Sequence, residues 1–562
     1  MIKVDAEQLK QKKALLAGLD ADFNQWRPHF LEIAKLILPR RYQWLMSETA
    51  LIKNATKTPA TNTYILDPTA TNAARILANG MMNGVTSPAR PWFRLRLKEF
   101  PEDQNYYPKE YVIWLEEAKR RMEIILAESN YYNSQAVQYL ELVGFGTGAM
   151  LLYDDFDDVI RCYNSPMGEY RLFQDHRRAV VGMARHFNLT VKQLVDMFGI
   201  DNVSEPVRAK YKVGGAGWLE TVPVDHLIEP NDAKDGLEIA KVFKFREFYW
   251  ETNNSSHGNL LRQSGYREKP IVAPRWEVTG NDTYGTSPTM DTIPDIKQLQ
   301  LETKQKAQGM DKMIRPPVIA DVALRQNPTA LLPGGLSYVT NASSFGAKPI
   351  YTVNPPVGEI SKDIQNLQLR IREGYYNHLF RNISQLDTVR SAAEVYERKS
   401  EDMLMLGGIL ERFQREALDP VIQRTFKIMF RKGLFPDPPP GLDPSTLDVQ
   451  YVSILADAQR AAGTQSTERF LQLVGEVGAS QPSVLNLPDY DELIRSYAQQ
   501  LNVPANGIKS RAQVQEEAEA EAEQLEMQNA ALVGNELTQA TKNLSDSDVG
   551  GGQNALEAML GA

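Results

Sequence analysis

The chain has 562 residues, 42% of them hydrophobic, so it can bury several cores and should form more than one domain. Its 62 Lys and Arg against 71 Asp and Glu give a formal charge of −9, which argues against tight phosphate binding as its main task, because that affinity comes from clustered cations. The single cysteine, Cys162, excludes an internal disulfide framework, and no apolar run approaches the roughly 20 residues of a membrane helix. MIKVDAEQLKQKK lacks the apolar core of a signal peptide, so a soluble cytosolic protein with no membrane partner is expected. Along the chain, Leu9, Leu15, Leu16 and Leu19 predict a first helix, and a second runs from about Gln25 to the LPRR of 38–41. Asp67-Pro68 opens another, Asp67 capping and Pro68 in the first turn, which continues until Gly84. TSPARPWFRLRL, 86–97, then alternates: Phe93, Leu95 and Leu97 fall on one side, Arg94 and Arg96 on the other, as in a strand with one apolar and one cationic face.

Helices are predicted over 109–128 and 134–142, joined by GFGTGAM (144–150) to a strand at 150–153. Strands and short helices without regular alternation continue to about Trp250, and the whole reads as α+β, predominantly helical. Pro294 is expected to start a polar helix that reaches about Met313, and a second helix spans 359–380. In the second, Ile360, Ile364, Leu367, Ile371 and Tyr375 form a single apolar stripe. Two such rods, each about 30 Å long, enclosing a proline- and glycine-punctuated insertion, describe a stalk with a head on its far end. A lone stalk is poorly stabilised by itself, whereas copies packed in a closed ring would cover one another. Ser391 and Glu394 then cap a helical stretch of about 40 residues, interrupted at Gly407-Gly408 and bent near Pro420. A strand in LDVQYVSIL, helices to about Gln500, an acidic helix near 511–533 and a mobile Gly/Ser/Asn tail complete the chain.

The chemistry-bearing motifs are sparse. GFGTG follows a helix and precedes a strand, the reverse of the order that aims amides at pyrophosphate, so it is a packing turn. Asp154, Asp155, Asp157 and Asp158 could gather a divalent cation, but without a calcium-loop glycine and distal glutamate a solvated hairpin tip is favoured. No P-loop, no H-E-x-x-H and no nucleophile motif around Cys162 occurs, and an enzyme with a cofactor has no positive support. Lys297, Lys304, Lys306 and Lys312 on the first rod, with Arg370 and Arg372 on the second, would in a single chain be solvated faces. Repeated around a ring they become belts able to hold a phosphate backbone weakly, without regard to sequence. Arg90, Arg94 and Arg96 suit inter-subunit salt bridges or solvent.

TSPARPWFRLRL with the preceding AARILANGMMNGV closely resembles the signature of the portal proteins, or head-to-tail connectors, of short-tailed double-stranded-DNA bacteriophages. MGEYRLFQDHRRAVVGMARHFNLTVKQLVDMFG (167–199), APRWEVTGNDTYGTSPTMDTIPDIKQLQ (273–300), AAEVYERKSEDMLMLGGILERFQREALDPVI (392–422) and YVSILADAQRA (451–461) match the same family in order, over about 20–500. The resemblance implies a portal-type multidomain subunit of wing, stem, clip and crown in a cyclic ring of about twelve. It places the N-terminal wing at 1–290, stem helices at 291–313 and 359–380, the clip at 314–358 and a tunnel loop at 381–390. The wing's spine helix and closing strand then fall at 391–455, crown helices at 456–533 and a flexible tail at 534–562. Arg381 and Arg390 bound that tunnel loop and join the channel candidates. It implies a ring, assembled in the cytoplasm of the infected bacterium and seated at one capsid vertex of the virion, that passes double-stranded DNA non-specifically during packaging and ejection. Terminase docks on it, tail or adaptor proteins follow, and capsid and scaffolding proteins surround it. Cofactors and catalysis are not expected. The alternatives are an enzyme or motor acting on nucleic acid, which needs a metal or nucleotide site, and another virion part such as a tail adaptor, which lacks the helix, β-insertion, helix unit.

Overall fold

The computed structural model describes residues 2–3, 6–46, 65–97, 109–231, 243–253, 259–314, 318–319, 348–349, 356–381, 407–441, 447–451, 469–477, 481, 488–491, 493–494, 497, 509 and 511–546. The chain divides into two compact units, one of residues 1–98, 116–437 and 443–459, the other of 99–115, 438–442 and 460–562. Among the described residues far more lie in helices than in the antiparallel strands, so the α+β, predominantly helical class holds.

In the first unit, α1 (Ala6–Leu36) is a single helix with Pro28 inside it, where the sequence predicts two. Phe23, Trp26 and Phe30 surround Tyr284 with ring centroids 5.6, 6.1 and 5.9 Å away, so packing on both sides of Pro28 keeps the halves in line despite the missing backbone bond. The helix α2 (Thr69–Val85) begins where the Asp67 carboxylate accepts the Thr69 N–H at 2.8 Å, and runs one residue past Gly84. It leads into β1 (Phe93–Leu97), whose Phe93 and Leu95 are buried while Arg94 is half-exposed. The helix α3 (Lys109–Glu128), of which 116–128 belong to this unit, and α4 (Tyr131–Phe145) follow, the second longer at both ends than the 134–142 predicted. Gly146 ends α4 in the left-handed region at φ 72°, the packing turn read from GFGTG.

Beyond that turn come β2 (Ala149–Asp154), β3 (Ile160–Ser165), β4 (Tyr170–Gln174) and β5 (Val180–Thr190), then α5 (Val191–Phe198) and α6 (Glu205–Val213). The strands β6 (Thr221–Pro230), β7 (Phe245–Glu251), β8 (Arg262–Tyr266) and β9 (Ile271–Val272) complete two sheets, a five-stranded one ordered β8-β7-β6-β5-β4 and a three-stranded one ordered β9-β2-β3. Val191, Leu194 and Val207 of α5 and α6 cover one set of core positions with Val224 and Tyr249, while Leu9 and Leu16 of α1 pack with Ala184, Leu227 and Trp250. The sheet is therefore buried on both faces, one by α1 and one by the α5–α6 pair.

A polar latch fastens α1 to this sheet. His186 on β5 bridges Asp225 on β6 at 2.7 Å and Asp20 on α1 at 3.2 Å, and Arg171 Nε donates to Asp20 at 2.7 Å. Burial alone would lower the His186 pKa, but the bonds and charges of the two carboxylates outweigh it and push it up to about 9. A pKa raised above the ordinary 6.5 stabilises fully below pH 6.5 and loses that contribution as the pH rises through 9. Glu169, raised to about 7 by burial, loses its share in the lower window that ends there, and Lys269, lowered to about 8 by burial, acts in the opposite sense through the upper one, so comparison with a His186 variant isolates His186. The unfolding temperature is expected to fall between pH 7 and 9.5, and His186→Gln to flatten that decline; equal slopes in both proteins would remove the latch.

The stretch expected to be the spine is, in its described part, a helix in three pieces: α10 (Gly407–Phe413), a π-helical turn (Gln414–Leu418) and α11 (Asp419–Arg431). The expected break at Gly407-Gly408 is instead where the described helix starts, and residues 391–406 with their capping box lie outside the described residues. The irregularity near Pro420 takes the form of the π turn, which re-registers the backbone just before the residue that cannot donate. The spine is pinned by Arg424, whose Nε donates to Leu152 O at 2.9 Å, and by Phe413, stacked on Tyr139 at 5.0 Å. A closing strand, β10 (Leu447–Tyr451), pairs antiparallel with β1.

In the second unit Tyr111 donates to Pro440 O at 2.8 Å, 469–477 is helical, and α12 (Arg511–Asp546) is one long helix. The tail expected to be flexible from 534 is helical to Asp546, although GNELTQATKNLSD is rich in weak helix formers. The remaining residues of the proposed crown, clip and tunnel loop lie largely outside the described residues.

Candidate functional site

The two polar rods form an antiparallel pair, α7 (Pro288–Ile314) and α8 (Val357–Gly374). The first starts six residues before Pro294, which lies inside it. Its true start signal is Ser287-Pro288: Ser287 Oγ accepts the Met290 N–H at 3.2 Å and donates to Gly144 O at 2.9 Å. The second stops at Gly374, six residues short of the predicted end, because Tyr376 turns to φ 54° before a short helix, α9 (Asn377–Arg381), resumes. Gly374 itself faces Thr292, where a β-carbon would stand 2.4 Å from the threonine methyl. Thr289 and Tyr375 hydroxyls meet at 2.7 Å beside it.

The rods differ along their length. Thr292, Ile293, Ile296 and Leu299 of α7 and Ile364, Leu367 and Ile371 of α8 are buried, so the apolar stripe is covered near the body of the same chain. Asp67 clamps this base. Gln300 Oε1 accepts the Asp67 N–H at 3.0 Å and Gln300 Nε2 donates to Asp67 O at 2.8 Å, while Gln368 Nε2 donates to Asp67 Oδ2 at 2.7 Å. No local motif marks that clamp, since its members are scattered over three elements. Farther out, Leu301, Met310, Met313 and Ile314 are exposed.

The cationic candidates divide accordingly. Lys297 pairs with Glu32 of α1 at 2.5 Å, and Arg370 with Asp295. Lys304 and Lys312 are exposed on the outer half, and Lys306 and Arg372 are half-exposed. On a helix of about 100° per residue, Lys297, Lys304 and Lys312 share one side whereas Lys306 points away, so the four lysines do not form one row. The side chain of Arg381 and the whole of Arg390 lie outside the described residues. Arg90 Nη2 donates to Asn83 O at 2.9 Å, and the strand register sets Arg94 opposite Gln450 and Arg96 opposite Asp448. Asp154, Asp155, Asp157 and Asp158 occupy the tip between β2 and β3: Asp155 accepts the Asp157 and Asp158 N–H groups at 2.8 and 3.0 Å, and Asp154 pairs with Lys432 at 2.8 Å. Among the described residues no group of three or more His, Cys, Asp or Glu could hold a metal, and no helix is long and apolar enough to cross a membrane.

The sequence model of the bacteriophage head to tail connecting proteins matches residues 9–508. The chain belongs to this family. It is 38% identical over 552 residues to the portal protein of Salmonella phage epsilon15, covering 97% of this chain and 96% of that one. It is 35% identical over 529 residues to a probable portal protein of Bordetella phage BPP-1, covering 92% and 93%. A solved chain from the neck of an empty GTA particle covers 74% of this chain, with 10% identity and a TM-score of 0.30. The function is that of a phage portal protein, a structural part of the virion at the head-to-tail junction.

Proposed function

We propose that copies of this chain close into a ring of about twelve, with the outer halves of α7 and α8 lining a passage for double-stranded DNA. The observation that carries this is the change of character along α7: buried in its own chain up to Leu299, it then exposes Leu301, Met310, Met313 and Ile314 among lysines. Apolar side chains on a projecting rod are covered when identical rods stand beside it, and the lysines then form belts. Such belts hold phosphates weakly and independently of sequence, as a sliding duplex requires. In this reading the chain performs no catalysis. A separate nucleotide-consuming terminase docks at 314–358 and drives the DNA, and tail or adaptor proteins replace it. Capsid and scaffolding proteins contact the wing, and the ring is built in the cytoplasm of the infected bacterium. Negative-stain images of the purified protein test the reading: collared rings with a central hole support it, and stable monomers, or ATP turnover by the protein alone, refute it.

Lys304→Gln with Lys312→Gln should leave ring formation intact and lower the yield of DNA-filled heads on the order of tenfold. Counting rings and filled heads checks it. Collapse of the rings would assign both lysines to assembly.

A further inference from the structure

Two surface features of the first unit remain without a role. The tip between β2 and β3 holds Phe156 fully exposed in the run Asp154-Asp155-Phe156-Asp157-Asp158. A phenylalanine in water is unfavourable by about 1.5–3 kcal/mol relative to burial, and this one, with Lys432 Nζ 5.8 Å from its ring centroid, is presented on a braced loop. Lys432 holds the loop through the carbonyls of Asp155 and Val159, and Asp155 fixes the turn. The other feature is the corner made by α5, α6 and the 3₁₀ turn Gly215–Leu219. There Val213 and Leu219 are exposed, Trp218 is partly so, and Lys192 lies 5.3 Å from the Trp218 ring. Lys212 is exposed beside them, and Lys210 pairs with Glu220 at 2.7 Å.

The two features are opposites in charge and alike in offering apolar surface. We propose that the occupant of the α5–α6 corner is the Phe156 tip of a second copy of this chain. The aromatic ring seats against Val213, Trp218 and Leu219, and Asp157 and Asp158, the latter already 3.4 Å from Arg161 of its own chain, meet Lys192 and Lys212. A rotational ring joins unlike surfaces of successive subunits, so a protrusion and its complementary seat on one chain suit a head-to-tail contact. A rigid, pre-organised aromatic anchor loses little freedom on binding and is the residue type that dominates such contacts.

This inference rests on the ring reading, and its test separates the two. Phe156→Cys and Leu219→Cys in one chain, mildly oxidised, should give a ladder of covalent multimers on a denaturing gel, and neither single variant should. Cys162 is buried and should not contribute. Phe156→Ala should raise the concentration at which rings form by about tenfold. Asp157→Lys with Asp158→Lys should do the same, and adding Lys192→Glu with Lys212→Glu should restore assembly. Wild-type rings with no ladder, together with unchanged assembly in Phe156→Ala, overturn the contact while leaving the ring reading in place. Wild-type protein that never forms rings overturns both.

Discussion

Replacing Gly146 by alanine is expected to destabilise the first unit by on the order of 3 kcal/mol or more. Two costs add. The backbone sits at φ 72°, where a β-carbon is penalised by about 1–2 kcal/mol. That β-carbon would also stand 2.2 Å from Gly285 O and 2.6 Å from Thr286 C, atoms of backbone that cannot swing aside. The surroundings leave no slack, because Trp276 N donates to Gly146 O at 2.8 Å and Gly285 N donates to Thr147 Oγ1 at 2.8 Å. The consequence reaches the rods, since Gly285 lies three residues before Pro288 begins α7. Urea unfolding measures the loss. Gly280→Ala is the control: its φ is 60° but nothing lies within 4 Å, so only the conformational cost should appear. Equal midpoints for the two variants would show that the close approach to Gly285 is unimportant.

Arg275→Ala should cost about 3–5 kcal/mol, the range for breaking one side of a buried ion pair. Arg275 is 4% exposed, and its Nη2 lies 2.5 Å from Glu416 Oε1 and 2.9 Å from Arg178 O. Without it Glu416 keeps the Arg275 backbone N–H, at 2.9 Å, and the charge of Lys269, inside a partly dry setting. Glu416 belongs to the π turn, so the loss should also loosen the spine locally. Hydrogen exchange at 407–418 should quicken more than at 149–154, and the unfolding midpoint should drop. Glu416→Gln, which retains an acceptor, should cost less. An unchanged midpoint in Arg275→Ala would mean that the spine is held by Arg424 and the apolar contacts of Phe413 instead.

What could be read from the sequence was what short-range chemistry dictates. The helix over 109–128, the Asp67 start, the alternation in TSPARPWFRLRL and the turn in GFGTG all follow from neighbours within a few residues. Family likeness suggested a division into rods, clip and spine, of which periodicity alone outlines the rods. Partnerships across long separations were not legible: nothing near Leu97 announces Leu447, its antiparallel partner. One proline misled: Pro294 reads as a start signal, yet tertiary packing carries α7 through it, and the break expected before Gln25 is absent because α1 runs on through Pro28. Among the candidate cations, the sequence shows the lysines but not that Lys297 and Arg370 are occupied by Glu32 and Asp295 of their own chain. The Phe156 tip was visible only as an acidic run, since nothing in its letters says that the ring stands clear of the surface.

The Asp67 clamp sets a timetable for synthesis. Its partners Gln300 and Gln368 stand 233 and 301 positions later, so the residue leaves the ribosome long before either exists. At about 5–20 residues per second the wait for the second partner is roughly 15 s to a minute. During that interval the base of α2 is unsealed and the N-terminal half of α7 has no α8 to lie against. Nascent chains are then most exposed to wrong pairing with one another, and slower translation through 300–368 would lengthen that vulnerable period while leaving the finished subunit unchanged.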